Sequence, residues 1–235
     1  MNKPLSPNVA QDMVETHIPA EELAGSNEEA DTHRAIIYRW LGSLFARELS
    51  EDMLAAYGTE EGQAFLDLLM TVDEGLFGEL RRFIVPGEAS AETIKALGGD
   101  FSRLFLGAGG RRSAPPYQSA YEGESGRLYG DATGRMTIML RKLDMQLPDD
   151  FPEPADHISI QLDVMALLVE TASPMQQIAF IDAHLMPWLP AFAERCKAFD
   201  KNGFYASASA ALVAMVEIDR QRLEKSRNPQ KQAGC

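Results

Sequence analysis

A chain of 235 residues, 45% of them apolar and 24% charged, can bury a core of its own, roughly 70% of the surface it exposes when unfolded. Its two cysteines, Cys196 and Cys235, cannot build a disulfide framework, and a net charge of −13 speaks against nucleic acid and for a cationic partner. The opening MNKPLSPNVAQDMVETH lacks the apolar region of a secretion signal, and no stretch reaches the ~18 apolar residues of a membrane helix, so the expectation is a cytoplasmic protein without membrane insertion.

Residues 1–30 read as a flexible acidic arm with too few large apolar residues to bury, and hence dispensable for folding. Helical order is expected to begin at a cap formed by Asp31 and Thr32. Ile36, Ile37, Trp40, Leu41, Leu44, Phe45 and Leu49 then recur at helical spacing. Ser50 caps a short second helix that Gly58 ends, and Thr59 caps a third carrying Phe65, Leu66, Leu68 and Leu69. Leu76, Phe77, Leu80, Phe83 and Ile84 mark a fourth, stopped by Val85-Pro86-Gly87, and Ser90 opens a fifth with Ile94, Leu97, Phe101, Leu104 and Phe105.

An irregular segment follows at 107–126, GAGGRRSAPPYQSAYEGESG, too long for a mere connection in a compact domain. A helix from about Tyr129 to Met145 presents Met136, Met139, Leu140 and Leu143. The proline-broken linker LPDDFPEPADH occupies 147–157. Beyond it come a helix with Ile158, Leu162, Met165 and Val169, another opened by Ser173-Pro174, a restart at WLPAFAERCKAF, a turn at Lys201-Asn202-Gly203, and a last helix from about Phe204 to Lys225. No period-2 strand is evident. The expected fold is all-α: a compact multi-helix globule in two halves, 31–146 and 158–235 (the second with a basic tail), joined by a Pro-rich hinge. That hinge predicts a monomer able to exchange its C-terminal helices with a second chain, giving a domain-swapped dimer at high concentration.

Charge is unevenly spread. Residues 143–194 contain no lysine or arginine but carry Asp144, Asp149, Asp150, Glu153, Asp156, Asp163, Glu170, Asp182 and Glu194. Catalytic signatures are missing. Gly107, Gly109 and Gly110 are followed by Arg111-Arg112 instead of the lysine of a phosphate loop; there is no H-E-x-x-H or G-x-S-x-G, and His17, His33, His157 and His184 are scattered. Asp156-His157 is the only adjacent acid–imidazole pair, and neighbours along a helix diverge too far to act as a dyad. Binding, not catalysis, is the expectation.

Four stretches carry a resemblance: PPYQSAY (115–121), EPADH (153–157), PWLPAFAERCKAFDKNGFYA (187–206) and the opening helix IYRWLGSLFARELSEDML (37–54). Together they resemble the TorD/DmsD/NarJ family of chaperones dedicated to bacterial molybdoenzymes, nearest its TorD branch, over about residues 35–222. The resemblance implies a cytoplasmic helical chaperone. It would bind the twin-arginine signal peptide and apoprotein core of its client, trimethylamine N-oxide reductase for that branch. It would aid cofactor insertion and delay export until maturation is complete. It points to Pro116, Tyr117, Ser119, Tyr121, Glu153, Asp156 and His157 as client contacts. It also implies no stably bound cofactor, with weak guanine nucleotide binding or contact with the client's molybdenum guanine dinucleotide as further expectations, although no nucleotide motif is present.

A cationic, greasy peptide needs a negative rim and an adaptable apolar floor. The acidic window is the expected rim, with Tyr117, Tyr121, Phe151, Met136, Met139, Met165 and Met186 as the floor. Asp156 is also expected to serve the first turn of its helix. Two other classes stay open: a general helical adaptor indifferent to paired arginines, and a guanine-nucleotide-dependent enzyme that would show turnover.

Overall fold

The computed structural model describes residues 3–4, 27–84, 91–122, 129–147 and 153–227. Nine α-helices lie among them. The first, α1 (Asn27–Ala46), begins ahead of the expected Asp31–Thr32 cap. Thr32 instead donates its hydroxyl to the Glu28 carbonyl at 2.9 Å, and Asp31 accepts from Arg34 Nη1 at 2.7 Å, both contacts made inside a helix already under way. Glu28 and Glu29 suit its positive end.

The other caps fall where the sequence puts them. Ser50 Oγ accepts from Met53 N at 3.2 Å and starts α2 (Glu51–Ala56). Thr59 Oγ1 accepts from Gly62 N at 3.0 Å at the head of α3 (Glu60–Ile84). Asp73 breaks α3 with φ −166° and ψ 104°, and its Oδ1 accepts from Leu76 N at 2.9 Å. The third and fourth helices expected are thus both present, end to end. The stop at 85–87 and the Ser90 cap lie outside the described residues. The chain continues as α4 (Ala91–Leu104), α5 (Asp131–Lys142), α6 (Ile158–Thr171), α7 (Pro174–Phe180) with a π-helical extension through Leu185, α8 (Leu189–Phe199) and α9 (Phe204–Arg227). Gln176 Oε1 accepts from both the N–H and the hydroxyl of Ser173, which fixes the start of α7.

Of the expected arm, 1–30, two pieces are described: Lys3–Pro4, which pair in parallel with Met145–Gln146, and 27–30, which are not irregular but open α1. Of the hinge, 148–152 lie outside them too.

α6 is apolar nearly all round and is accordingly the central helix, with Ile158, Ile160, Leu162, Val164, Met165 and Ala166 at most 1% exposed. It lies along α1, where Gly42 allows close approach; a Cβ there would sit 3.4 Å from Leu162 Cβ. The halves before and after the hinge therefore share one core. Edge-on ring contacts continue it, Phe45 meeting Phe105 and Phe192 at centroid distances of 5.8 and 5.4 Å, and Phe105 meeting Tyr205 at 5.0 Å. Helix exchange between two chains would have to part α1 from α6 along the whole seam, so its barrier approaches that of global unfolding. Met136 and Met165 are fully buried in this core and cannot form the floor of a peptide groove as expected, whereas Met139 and Met186 are half-buried.

On α6, Asp163 is partly buried near Arg39 of α1, whose guanidinium is itself engaged by Glu170 at 2.7 Å. Burial pushes the Asp163 carboxyl up to about 7, against the pull of Arg39. Between the ordinary carboxylate range and that value the folded chain binds more protons than the unfolded one, so this group costs stability as pH rises through the window. Asp163→Asn is expected to melt above the parent at pH 8, with the advantage fading as pH falls from 7 toward 4. Equal melting temperatures at pH 8 in a paired scan would show the carboxylate to be well solvated.

Candidate functional site

Two backbone segments far apart in sequence meet at the site. Tyr117 and His157 form an antiparallel bridge. Gln118 N donates to the Asp156 carbonyl at 3.2 Å, and Ile158 N donates to the Pro116 carbonyl at 2.8 Å. The loop 113–122 is thereby stitched to the entrance of α6. All seven residues singled out from the sequence gather at this seam, Pro116 and Ser119 among its buried members.

Asp156 is the clamp. It is 0% exposed; its Oδ2 accepts from Ser119 N at 2.8 Å and its Oδ1 from the Thr133 hydroxyl at 2.6 Å. It thus ties the loop to α5, where first-turn duty on its own helix was expected. That duty falls to His157, the residue just before α6, whose Nδ1 accepts from Ser159 N at 3.2 Å while Ser159 Oγ lies 2.7 Å away. An accepting Nδ1 puts the ring proton on Nε2, and burial holds the imidazole neutral, its pKa pulled down to about 3. The ring also meets Tyr117 edge-on at 5.1 Å.

Closer to the surface, the Tyr117 hydroxyl donates to Glu153 Oε2 at 2.5 Å. Burial, with Glu153 adding to it, raises the Tyr117 phenol far above its usual range. Glu153 and Tyr121 are half-buried. The Tyr121 ring lies 5.4 Å from Trp188, and its hydroxyl, like Ser119 Oγ and His184 Nδ1, is buried without a hydrogen-bond partner among the described residues. Such groups cost about 1–3 kcal/mol each, so they mark a place where packing is not optimised for stability alone.

Sequence reasoning missed the polar chain beneath. Trp188 Nε1 donates to Gln161 Oε1 at 3.1 Å, Gln161 Nε2 to Gln118 Oε1 at 2.7 Å, and Gln118 Nε2 to Glu122 Oε1 at 2.6 Å. Arg135 then grips Glu122 with contacts of 2.7 Å to both oxygens. Only the Q within PPYQSAY hinted at it.

The acidic window does not survive as one face. Glu170 is taken by Arg39 at 2.7 Å and Asp182 by Arg220 at 2.6 Å, both cations from outside the window. Asp156 is sealed inside, and Asp149, Asp150 and the expected floor residue Phe151 lie outside the described residues. Glu153 and Glu122 are the carboxylates at this seam that reach the surface. Among the described residues no cluster of His, Cys, Asp and Glu could hold a metal ion, and no helix is long and apolar enough to cross a membrane.

The fold and site together define an all-α protein with a tyrosine-bearing loop clamped to a helix entrance. Comparison with known proteins makes this specific. The family model for the nitrate reductase delta subunit matches residues 67–194. The chaperone protein TorD of Vibrio parahaemolyticus is 34% identical over 216 residues, covering 85% of this chain and 96% of that protein. Those of Vibrio cholerae and Photobacterium profundum are each 35% identical, covering 87% and 85% of this chain and 96% of theirs. A solved structure from Archaeoglobus fulgidus, named as a candidate redox enzyme maturation protein, is 21% identical with a TM-score of 0.46, covering 86% of this chain and 96% of that one, too distant to carry an argument. The chain belongs to the TorD family of chaperones, whose members are named as chaperones and not as enzymes.

Proposed function

We propose that this chaperone acts in the cytoplasm on a molybdoenzyme, trimethylamine N-oxide reductase, by binding the twin-arginine signal peptide and the apoprotein before the cofactor is in place. The observation that supports the reading best is the convergence at one seam of the loop 116–121 and the segment 153–157, with the half-buried Tyr121 and Glu153 toward the surface and the clamp inside. Tyr117 and Tyr121 offer amphipathic contact area at little entropic cost. Glu153, which no arginine engages among the described residues, offers a carboxylate to the paired arginines, an interaction worth about 1.5–3 kcal/mol per charge-assisted hydrogen bond. Asp156 and His157 act by holding the loop.

Calorimetry with a synthetic signal peptide tests this. Glu153→Gln is expected to weaken binding about tenfold, the equivalent of about 1.4 kcal/mol, and replacing the paired arginines of the peptide by lysines should do at least as much. Higher salt should weaken binding only in part, because apolar burial is not screened. Unchanged affinity in Glu153→Gln would place the peptide elsewhere. Indifference to the arginine pair would favour a general adaptor.

A further inference from the structure

Residues 107–112, glycine-rich yet no phosphate loop, form a tightly built turn. Gly107 and Gly110 have φ of +81° and +56°, and a Cβ on Gly109 would lie 2.4 Å from the Arg103 carbonyl and 2.8 Å from that of Arg112. Gly109 N donates to the Arg103 carbonyl at 3.0 Å, Gly110 N to Gly107 at 3.1 Å and Arg112 N to Gly109 at 3.0 Å. From α8, Arg195 braces the turn by donating Nε to the Ser113 carbonyl at 2.7 Å and Nη2 to that of Arg111 at 2.9 Å.

This frame displays Arg111 and Arg112. Both are exposed, and neither meets a carboxylate among the described residues, whereas Arg34, Arg39, Arg103, Arg135 and Arg220 all do. Leu106, at the foot of the same turn, is 60% exposed. On a chain of net charge −13, this braced turn carries two adjacent exposed guanidiniums that no carboxylate among the described residues engages, with an exposed leucine in the same segment.

We propose that Leu106, Arg111 and Arg112 form a second client-docking surface, which takes an acidic, aliphatic segment of the client's body. The proposal rests on the chaperone reading above. Its chemistry is opposite to that of the signal-peptide site, since a cationic peptide is repelled here. A bare phosphate is the weaker fit. The amides of Gly109, Gly110 and Arg112 are consumed inside the turn, leaving no nest of N–H groups for an anion, and phosphate has no use for Leu106. Guanidinium forks match carboxylates two bonds at a time and are enriched where proteins meet.

The test measures binding of two separate probes: the isolated signal peptide, and apo-trimethylamine N-oxide reductase expressed without it. Arg111→Glu/Arg112→Glu is expected to weaken binding of the body tenfold or more, to leave peptide affinity within twofold, and to melt with the parent, because both side chains are exposed. Arg111→Lys/Arg112→Lys should keep most of the body affinity. The peptide Ac-LEELEELEE should compete for the body, and sodium tripolyphosphate at matched ionic strength should not. Unchanged body affinity in the charge-reversed variant, or competition by tripolyphosphate alone, overturns the proposal. If the parent binds the peptide but not the body, this surface alone is refuted; if it binds neither, the chaperone reading fails with it.

Discussion

Asp219→Ala is expected to lower the melting temperature by about 6–20 °C, from a loss of about 3–5 kcal/mol at roughly 2–4 °C per kcal/mol in a chain of this size. Asp219 on α9 is 2% exposed, and Arg34 on α1 is 6% exposed. Arg34 donates Nε to Oδ1 at 2.6 Å and Nη2 to Oδ2 at 2.7 Å, and the Tyr38 hydroxyl donates to Oδ2 at 2.8 Å. Nη2 also reaches Gln177 Oε1 at 3.0 Å, so three helices close on one guanidinium. Burial works against the charge of Arg34, but Asp219 and Asp31 hold its pKa above the ordinary value; burial and the same aspartate push the Tyr38 phenol well up. Removing Asp219 leaves a buried cation and a buried hydroxyl without their main acceptor, and the desolvation cost is then no longer offset. The apolar double variant Arg34→Met/Asp219→Leu should recover much of the loss, because both desolvated charges leave together. A fall of less than 2 °C for Asp219→Ala in calorimetry would show that water or a shifted side chain replaces the carboxylate.

The second large effect belongs to the clamp. Asp156→Ala leaves Ser119 N–H and the Thr133 hydroxyl without acceptors in a sealed space, at about 1–3 kcal/mol each. A total of about 2–6 kcal/mol is expected, together with loss of signal-peptide binding as the loop 113–122 comes away from α6. Asp156→Asn should behave differently. Its oxygen can accept from Ser119 N–H while its amide donates to Thr133, whose hydroxyl rotates to receive it. Near-parental melting and binding are therefore expected. If Asp156→Asn binds peptide as poorly as Asp156→Ala while melting normally, the charge of Asp156 itself meets the peptide and the clamp is not its only role.

The residue pattern by itself determined which segments are helical and where most of them start. The stripe from Ile37 to Phe45, the caps at Ser50, Thr59 and Ser173, and the Gly203 turn, with φ of +85°, all rest on neighbours three or four positions apart, where side-chain type and spacing carry the whole argument. PPYQSAY and EPADH were singled out by resemblance to a family, and the fold brings the two strings together at one seam. Which side of each residue meets which other element was not. The Arg34–Asp219 pair spans 185 positions, and Asp156 finds Ser119 and Thr133 at 37 and 23 positions away. The acidic window read as one field only because the cations that neutralise Glu170 and Asp182 come from α1 and α9. Met136 and Met165 likewise share their type with Met139 and Met186, yet only the packing of α1 against α6 and the seating of α5 sort the buried pair from the half-exposed one. Local periodicity is a property of the chain; partner choice, burial and net field belong to the faces that tertiary packing brings together.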